Sequence, residues 1–381
     1  MDSISIKIYN SISQLPKSWN EVAISNAFLQ TPYLKTLEES SPKNMQCYFI
    51  GIFENEILIG VLIAQYIDLN QLESFGDRDK CFKTAIRNFV FKNFASHVLF
   101  LGNNMISGHN CFAFCKEISL EKISNIIKEC SNHLVSLLNE KNIKIHLISF
   151  KDFYKNTAIE LKKNDFNSIY EFNSQPNMIF ELNSTWKNSI DYVASFSKKY
   201  RDQYKRARKK INEITHQELS LEDIKIQENR IFELYYYVAK NAPFNTFFLT
   251  KDHFYSFKKN CENKFRVFGY FLDNKLIGFY TILQNGDVLE TYFLGYENTI
   301  QKEKMLYLNM LYDITEFGIE NGFKKIIFGR TALEIKSSIG AKPVIMSGFI
   351  KHSNLVLNKY MSTIFPYLEP EAVWKERNPF K

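Results

Sequence analysis

The sequence carries the same eight-residue frame twice, at an offset of 218 residues. The first copy, FENEILIG, covers residues 53–60, and the second, FLDNKLIG, covers residues 271–278. Each copy predicts a β-hairpin, with turns at Glu54-Asn55 and at Asp273-Asn274. Each half then continues with a strand, helix, strand, helix and strand in the same order. The match predicts a duplicated α+β unit, because the repeats of a solenoid are far shorter.

The length of the chain also favours two domains. A chain of 381 residues is too long for one ordinary core, and its hydrophobic fraction of 45% supplies enough apolar material for two. We place the domains at residues 1–183 and 184–381. Residues 56–67 form the most apolar run, which is shorter than the ~18 residues that a membrane-spanning helix needs. Gly60 and the acidic residues that flank this run indicate a buried strand.

The compartment and the metal chemistry are inferred from cysteine and histidine spacing. The six cysteines are irregularly spaced, and Cys111 and Cys115 have no second pair or nearby histidine to complete a zinc site. The seven histidines are scattered, so we expect no metal. The N-terminus does not have a basic start followed by an apolar block, as a secretory signal would. We therefore expect reduced thiols and a cytoplasmic protein.

A strongly basic segment lies at the middle of the chain, at residues 189–212. Its apolar residues recur at three- and four-residue spacing, which predicts one helix of roughly 36 Å. Residues 198–210 hold eight basic residues and one acidic residue, Asp202, so their net charge is +7. This equals the net charge of the whole chain. The candidate residues for polyanion binding are Lys198, Lys199, Arg201, Lys205, Arg206 and Lys209.

Such a charge concentration can attract phosphates, a nucleic-acid backbone or an acidic carrier protein. The alternative is a solvated helix whose long basic side chains cover apolar surface. The sequence leaves both interpretations open.

Three stretches resemble motifs of a known family. Phe180-Glu181-Leu182, with Trp186 after it, fits the junction between the halves. Ser197-Lys198-Lys199-Tyr200-Arg201 is similar to a Ser-Lys-Lys-x-Arg motif. Phe328-Gly329-Arg330 and then residues 335–340, IKSSIG, are similar to a late Phe-Lys-x-x-Phe-Gly motif, with Lys336 and Gly340 matching. Together with the element order, these stretches resemble the Fem-type aminoacyltransferases and related N-acyltransferases.

The resemblance implies an α+β fold with two tandem GNAT-like domains, each with a mixed central sheet flanked by helices. It also implies acyl or aminoacyl transfer from an activated carrier to an amine. One turn departs from the acetyl-CoA-dependent GNAT enzymes. Their Gly-rich turn before the central helix holds the pyrophosphate through backbone N–H groups, whereas residues 301–306 here, QKEKML, contain no glycine. This departure weakens the case for acyl-CoA and leaves room for a polyanionic donor, acyl-carrier protein or aminoacyl-tRNA. A standard acetyl-CoA enzyme stays open as a third hypothesis. No tightly bound cofactor is expected.

The chemistry of N-acyl transfer needs a proton acceptor for the amine and a donor to the developing oxyanion. In the GNAT plan the oxyanion donor is a backbone N–H of the central strand, which we place at residues 288–296. Alternation along that strand puts Glu290, Tyr292 and Leu294 on one face. We take Glu290 as the candidate proton acceptor and Tyr292 as the orienting group or acid. The alternative is that both are cross-strand surface partners.

Substrate-binding candidates lie after two other strands. Arg330 follows a buried strand, and Glu334 and Lys336 lie in the helix after it, where they are placed to bind phosphate or carboxylate. The alternative is a solvated Arg330 and a Glu334–Lys336 pair within the helix. In the first half, Asn104 and His109 lie in a glycine-bounded loop, GNNMISGH, which is either a substrate contact or only a tight turn.

We thus favour an N-acyltransferase that acts on an amine of a cell-envelope precursor or lipid, with peripheral rather than transmembrane contact to a membrane. The rival hypothesis is a non-catalytic RNA-binding protein on a degenerate acyltransferase scaffold. Phosphate-loop, dinucleotide-binding and serine-hydrolase motifs are absent from the sequence, which argues against those chemistries.

Overall fold

The structure is a computed structural model that describes residues 4–71, 92–242, 245–365 and 374–381. The chain forms two compact units. The first contains residues 1–175, 246–250 and 345–371, and the second contains residues 176–245, 251–344 and 372–381. The units therefore do not follow a single division at residues 183 and 184, since each takes in a segment from the other half of the chain.

The strands, numbered along the chain, are β1 (Ile4–Tyr9), β2 (Met45–Glu54), β3 (Ile57–Asp68), β4 (His97–Leu101), β5 (Phe112–Phe114), β6 (Leu147–Tyr154), β7 (Tyr170–Asn173), β8 (Asn177–Glu181), β9 (Thr215–Glu218), β10 (Phe265–Leu272), β11 (Lys275–Asn285), β12 (Val288–Tyr296), β13 (Lys325–Gly329), β14 (Lys342–Val344) and β15 (Met346–His352).

The α-helices are Trp19–Val22, Thr31–Ser40, Leu120–Glu140, Lys155–Lys163, Ser189–Ala194, Lys198–Lys210, Leu221–Ile226, Glu228–Lys240, His253–Cys261, Asn298–Lys304, Leu306–Glu320, Leu333–Ser337, Leu355–Lys359 and Met361–Ile364. Below, Lys198–Lys210 is called the basic helix and Leu306–Glu320 the central helix. Among the residues that the structure describes, no helix is both long and apolar enough to cross a membrane.

Both units contain a mixed sheet with the same sequence of strand directions. The first sheet has the order β1-β2-β3-β4-β6-β15-β7, with β5 paired to β3, and the second has the order β14-β8-β13-β12-β11-β10-β9. In each sheet one pair of strands is parallel, β4 with β6 and β12 with β13, and the other pairs are antiparallel. The parallel pair needs a crossover, which the helices Leu120–Glu140 and Leu306–Glu320 supply.

The hairpins at the start of each sheet match in detail. Asn55 and Glu56 have positive φ values of 48° and 66°, and Asp273 and Asn274 have 49° and 61°. Two successive residues with positive φ are typical of the turns that close two-residue hairpins. The register shifts between Ile52 and Phe53 and between Tyr270 and Phe271, again 218 residues apart. The duplication predicted from sequence therefore extends to the turn and the bulge, although the first turn lies one residue later than predicted.

The strand next to the parallel pair is exchanged between the halves of the chain. In the first sheet β15 pairs with both β6 and β7, whereas in the second sheet β8 pairs with both β13 and β14. Each sheet thus receives one interior strand from the other half of the sequence. This exchange explains why the compact units do not follow the order of the chain.

The predicted long basic helix is two helices instead of one. Ser189–Ala194 ends before Ser195, and the basic helix begins at Lys198. Phe196, between them, forms an isolated antiparallel bridge with Phe380. The prediction of one continuous helix was wrong because Phe196 belongs to this bridge, although its side chain packs in the core of the second unit as the apolar stripe predicted.

Candidate active site

The parallel strands of the second sheet separate part of the way along. Ladder pairs join Val288, Leu289 and Glu290 of β12 to Lys325, Ile326 and Ile327 of β13. Beyond Glu290, the described ladder pairs join β12 only to β11, as far as Tyr296. The Thr291 side chain still reaches β13, where its hydroxyl donates to Ile327 O at 3.0 Å. The ladder therefore ends at Glu290, the third residue of β12, and the rest of both strands runs from there towards their carboxyl ends, where ligands commonly bind in such sheets.

Glu290 lies buried at the point where these strands part. Its side chain is 5% exposed, and the Asn285 amide lies 3.5 Å from its Oε1 atom. Burial raises its pKa from 4.5 to about 8, because desolvation disfavours the charged form. A carboxyl group poised near neutral pH fits a proton acceptor or donor.

Tyr292 packs within an aromatic cluster rather than beside Glu290. Its hydroxyl lies 3.0 Å from His253 Nε2, and its ring contacts Phe257 and Phe265 edge to face. His253 is fully buried at the start of the helix His253–Cys261. The geometry holds the phenol firmly and directs its hydroxyl towards this helix.

The predicted alternation along β12 is interrupted by a bulge. The register against β11 shifts between Tyr280 and Ile282, and the Thr281 hydroxyl binds both the N–H and the carbonyl of Phe293. Leu294 packs on the core cluster of the second unit, which contains Leu289. The prediction that Glu290, Tyr292 and Leu294 share one face is therefore wrong at Leu294, because the bulge inserts one residue.

Lys336 turns inward to the end of β13. Its ammonium group donates a 2.5 Å hydrogen bond to Phe328 O, and the residue is 4% exposed. Burial lowers the pKa of Lys336 from 10.5 to about 7. Phe328 follows Ile327, the ladder partner of Glu290, so Lys336 binds the backbone of β13 one residue beyond that pair.

Glu334 and Arg330, the other candidates near this strand end, differ in their surroundings. Glu334 accepts hydrogen bonds from the Arg377 guanidinium, with Nε at 2.9 Å from Oε1. Glu334 therefore pairs with Arg377, and Lys336 binds Phe328 O instead of Glu334. Arg330 is largely buried, which lowers its pKa from 12.5 to about 10. Arg330 is therefore not the solvated arginine of the simpler interpretation.

The turn that lacks glycine is helical. Asn298–Lys304 forms a short helix, and Met305, with φ of 51°, reverses the chain into the central helix. The Asn309 amide donates to Met305 O at 3.1 Å and to Ala207 O at 3.1 Å, while Lys210 donates to Glu303 O. Side chains thus bind the backbone carbonyl groups of Glu303 and Met305 in this turn, and of Ala207 in the basic helix.

The basic helix presents an exposed cationic face. Lys198, Lys199, Lys205, Arg206 and Lys209 are exposed. Beside its end lies a cavity of about 270 Å³, lined by Lys209, Lys210, Asn212, Glu213, Glu303 and Lys304. Arg201, by contrast, donates to Phe196 O and is only half-exposed. All six predicted residues therefore lie on the basic helix, and five of them are exposed.

Arg208 has a structural role that the charge count concealed. It donates to Asp313 and to Glu316, each at 2.6 Å, and its guanidinium stacks near the rings of Tyr204 and Tyr312. Burial opposes its charge, but the two carboxylates raise its pKa above the usual value. One of the eight basic residues is thus neutralised inside the unit.

Asn104 and His109 belong to the first unit. The Asn104 amide donates to Thr246 Oγ1 at 2.8 Å and its oxygen accepts from Lys151 at 3.1 Å. Lys151 and the adjacent Asp152 are both nearly fully buried at the carboxyl half of β6. His109 packs edge to face on Phe112, and burial lowers its pKa to about 4. Asn104 therefore lies in a polar network, whereas His109 lies in an aromatic one.

Sequence reasoning missed His253, Lys151 and Arg377. No motif marks these residues, and each gains its role from a partner distant along the chain. A weak signal was present for Arg208, since Asp313 and Glu316 are spaced three residues apart on an otherwise apolar helix.

No family model matches the sequence, and no curated protein matches it. Solved structures do match. A structure described as FemX has a TM-score of 0.54 at 13% identity, with 94% of this chain and 99% of that chain covered. A tandem GNAT protein from the clavulanic acid biosynthesis pathway has a TM-score of 0.52 at 7% identity, with 92% and 99% covered. A conserved protein of unknown function from Bacteroides thetaiotaomicron has a TM-score of 0.50 at 9% identity, with 91% and 99% covered.

These likenesses extend over nearly the whole of each chain, and at such low identity they establish the fold alone. The chain therefore has the α+β fold of the tandem GNAT acyltransferases, as the resemblance predicted.

Proposed function

We propose that the protein is an N-acyltransferase that transfers an acyl or aminoacyl group from an activated carrier to an amine at the carboxyl ends of β12 and β13. The observation that carries the proposal is the position of Glu290, which is buried, has a pKa of about 8 and lies where the two parallel strands part. Among the described residues, the hydrogen bond to Glu290 comes from the Asn285 amide and not from a basic side chain. A buried carboxyl group held in this way costs stability, so we infer a chemical role for it rather than a structural one.

In the proposed reaction the amine nitrogen bonds to the carbonyl carbon of the donor and the bond to the carrier breaks. Glu290, in its ionised form, accepts the proton that the amine loses and returns it to the leaving group of the carrier. Lys336 places a positive charge at Phe328 O, beside the strand end where the oxyanion develops. Tyr292, held by His253, orients the bulged segment of β12.

Arg330 and Glu334 follow β13 in the chain and are proposed to contact the substrate. Asn104 and His109 belong to the first unit, and we propose them only as candidates for a separate contact there. His109 is the weakest member of this set, because its ring is enclosed by aromatic side chains. An amine of a cell-envelope precursor or lipid is the proposed acceptor.

The proposed donor is an acyl-carrier protein or an aminoacyl-tRNA rather than acyl-CoA. Two observations support it: residues 301–306 contain no glycine, and the basic helix has an exposed cationic face. A polyanionic carrier would lie along Lys198, Lys205 and Lys209.

The test is a donor panel. The purified protein is incubated with acyl-CoA, acyl-carrier protein or charged tRNA and a candidate amine, and loss of the activated bond is followed with time. We expect turnover with a carrier donor and a loss of about 100-fold or more in Glu290→Gln and Lys336→Met. Glu320→Gln, an exposed residue on the central helix, is the matched control.

The rival function, RNA binding without catalysis, is favoured by the same exposed cationic face. Under that function no donor loses its activated bond, and Glu290→Gln and Lys336→Met bind RNA as the parent does. Charge reversal at Lys205, Arg206 and Lys209 then becomes the only change with an effect.

A further inference from the structure

The final described segment, residues 374–381, contacts two elements of the second unit that are distant from each other in sequence. One is the helix Leu333–Ser337, which carries Lys336, and the other is the start of the basic helix. We call residues 377–381 the strap.

At one end the strap binds the Lys336 helix through Arg377. The Arg377 guanidinium donates to Glu334 Oε1, and the Arg377 N–H donates to Ser337 Oγ at 2.9 Å. Ser337 is fully buried, and its hydroxyl in turn donates to Glu334 O at 2.9 Å. Arg377 therefore binds residues before and after Lys336: its side chain binds Glu334, and its main-chain N–H binds Ser337.

At the other end the strap holds the chain that enters the basic helix. The Ser197 N–H donates to Pro379 O at 2.8 Å, and the Lys381 N–H donates to Ser195 O at 3.2 Å. Ser197 is the residue before the first turn of the basic helix, and its own side chain makes no capping bond there. The strap thus hydrogen-bonds the backbone just before the basic helix, where the helix has no side-chain cap.

Between these ends, Phe380 fixes the strap in an aromatic cluster. Its ring lies 6.0 Å from Phe180, 5.7 Å from Trp186 and 5.9 Å from Phe196, centroid to centroid. Gly340 permits this packing, since a Cβ atom there would lie 2.6 Å from Phe380 Cζ, and its φ of 112° is a conformation that suits glycine. The glycine that matches the family motif therefore has a physical reason in this chain.

We propose that Arg377 is a positioning residue for Lys336, which it holds at Phe328 O through Glu334 and Ser337, and that the strap ties this arrangement to the start of the basic helix. The proposal deepens the proposed function, because it concerns the same site. A carrier that binds the basic helix would then contact a helix that is joined to the Lys336 helix through the strap.

The test measures Lys336 directly and needs no substrate. The folded protein is treated briefly with acetic anhydride over a range of pH, and acetylation of each lysine is quantified by peptide mass spectrometry. In the parent we expect slow acetylation of Lys336 with a midpoint near pH 7, against fast acetylation of the exposed Lys324, whose midpoint lies well above it. In Arg377→Gln the acetylation rate of Lys336 should rise at least tenfold and its midpoint should move up, because the lysine gains contact with water.

Lys375→Gln removes an exposed positive charge two residues away and should leave both quantities as in the parent. If Arg377→Gln does not fold, Glu334→Gln replaces it in the test. Glu334→Gln weakens the same Arg377–Glu334 contact and should likewise raise the acetylation rate and the midpoint of Lys336. An unchanged Lys336 rate and midpoint in the folded variants would overturn the proposal. Because acetylation is read without any donor, this outcome is separate from a failure to find transferase activity.

Discussion

Arg208 and Asp313 are joined by a 2.6 Å hydrogen bond between the basic helix and the central helix, inside the second unit. Glu316, one turn further along, binds the same guanidinium, and the Tyr270 hydroxyl donates to Asp313 from the sheet. The bond explains how a helix with so many exposed charges is held on an apolar core. The ion-pair network fixes the helix, while Lys198, Lys205 and Lys209 remain exposed.

Arg208→Met should destabilise the protein by roughly 3 kcal/mol, because two largely buried carboxylates would lose their charge partner. The measurement is the free energy of unfolding in urea. Arg206→Met, an exposed neighbour, should change it by less than about 0.5 kcal/mol. Equal effects of the two substitutions would show that Arg208 is no more than another solvated base.

Glu290→Gln should make the protein more stable while abolishing transfer. The folded-state pKa of Glu290, about 8, lies above its usual value of 4.5, so the folded state holds a proton that the unfolded state releases. The stability due to this group is complete below pH 4.5 and is lost as pH rises through 8. Glutamine removes that loss, and we expect a gain on the order of 2 kcal/mol at pH 8 in urea unfolding.

The same variant also tests the pH dependence of the rate. If ionised Glu290 accepts the amine proton, the parent rate should rise with pH through about 8, and the variant should lack that limb. A parent rate that does not change between pH 6 and 9 would contradict the role assigned to Glu290.

The first unit should lose stability in mild acid because of three neighbouring histidines, His97, His146 and His352. The ring centroids of His97 and His146 are 4.9 Å apart, and those of His146 and His352 are 6.4 Å apart. His146 Nδ1 accepts from the N–H of Ser96, and burial, with smaller contributions from His97, Lys144 and His352 against an opposing one from Asp68, lowers its pKa to about 4.

A lowered histidine pKa means that the unfolded chain binds the proton more readily. The stability due to His146 is therefore complete above about pH 6.5 and is lost as pH falls towards 4. Thermal unfolding followed by circular dichroism should show this fall in the parent and a shallower one in His146→Asn, which keeps an acceptor for the Ser96 N–H. His133→Asn, an exposed site, is the control and should follow the parent.

Charge reversal of Lys205, Arg206 and Lys209 to glutamate should weaken binding of an RNA hairpin and reduce its salt dependence. Each lost phosphate contact lowers the slope of log K against log salt by about 1, so we expect a reduction of about 3. The control reverses three exposed lysines of the first unit, Lys17, Lys141 and Lys155. If both triple variants lose the same affinity, net charge alone drives binding and the basic helix is not the site.

The duplicated plan was accessible to sequence reasoning because local patterns encode it. The turn at Asp273-Asn274 and the strands around it follow from short-range signals. Glu290 was identified from its place on the predicted central strand, and its burial and raised pKa came from the tertiary structure.

Other features were not predictable because they depend on partners far apart along the chain. The bulge at Tyr292–Phe293 needs the Thr281 hydroxyl on the neighbouring strand, and it reverses the face assigned to Leu294. Lys336 looks like half of an intrahelical ion pair in the sequence, but Arg377 takes Glu334 instead. The break at Phe196 arises from its bridge to Phe380, which lies 184 residues later.

The exchange of β8 and β15 has a consequence for how the chain can be made. During synthesis the first sheet lacks the strand between β6 and β7 until Met346–His352 has left the ribosome. Every strand of the second sheet has been translated by then. Until then β6 has an unpaired backbone edge in the nascent first half. A translational stall or a truncation before Met346 would leave this edge available for β-pairing with other chains.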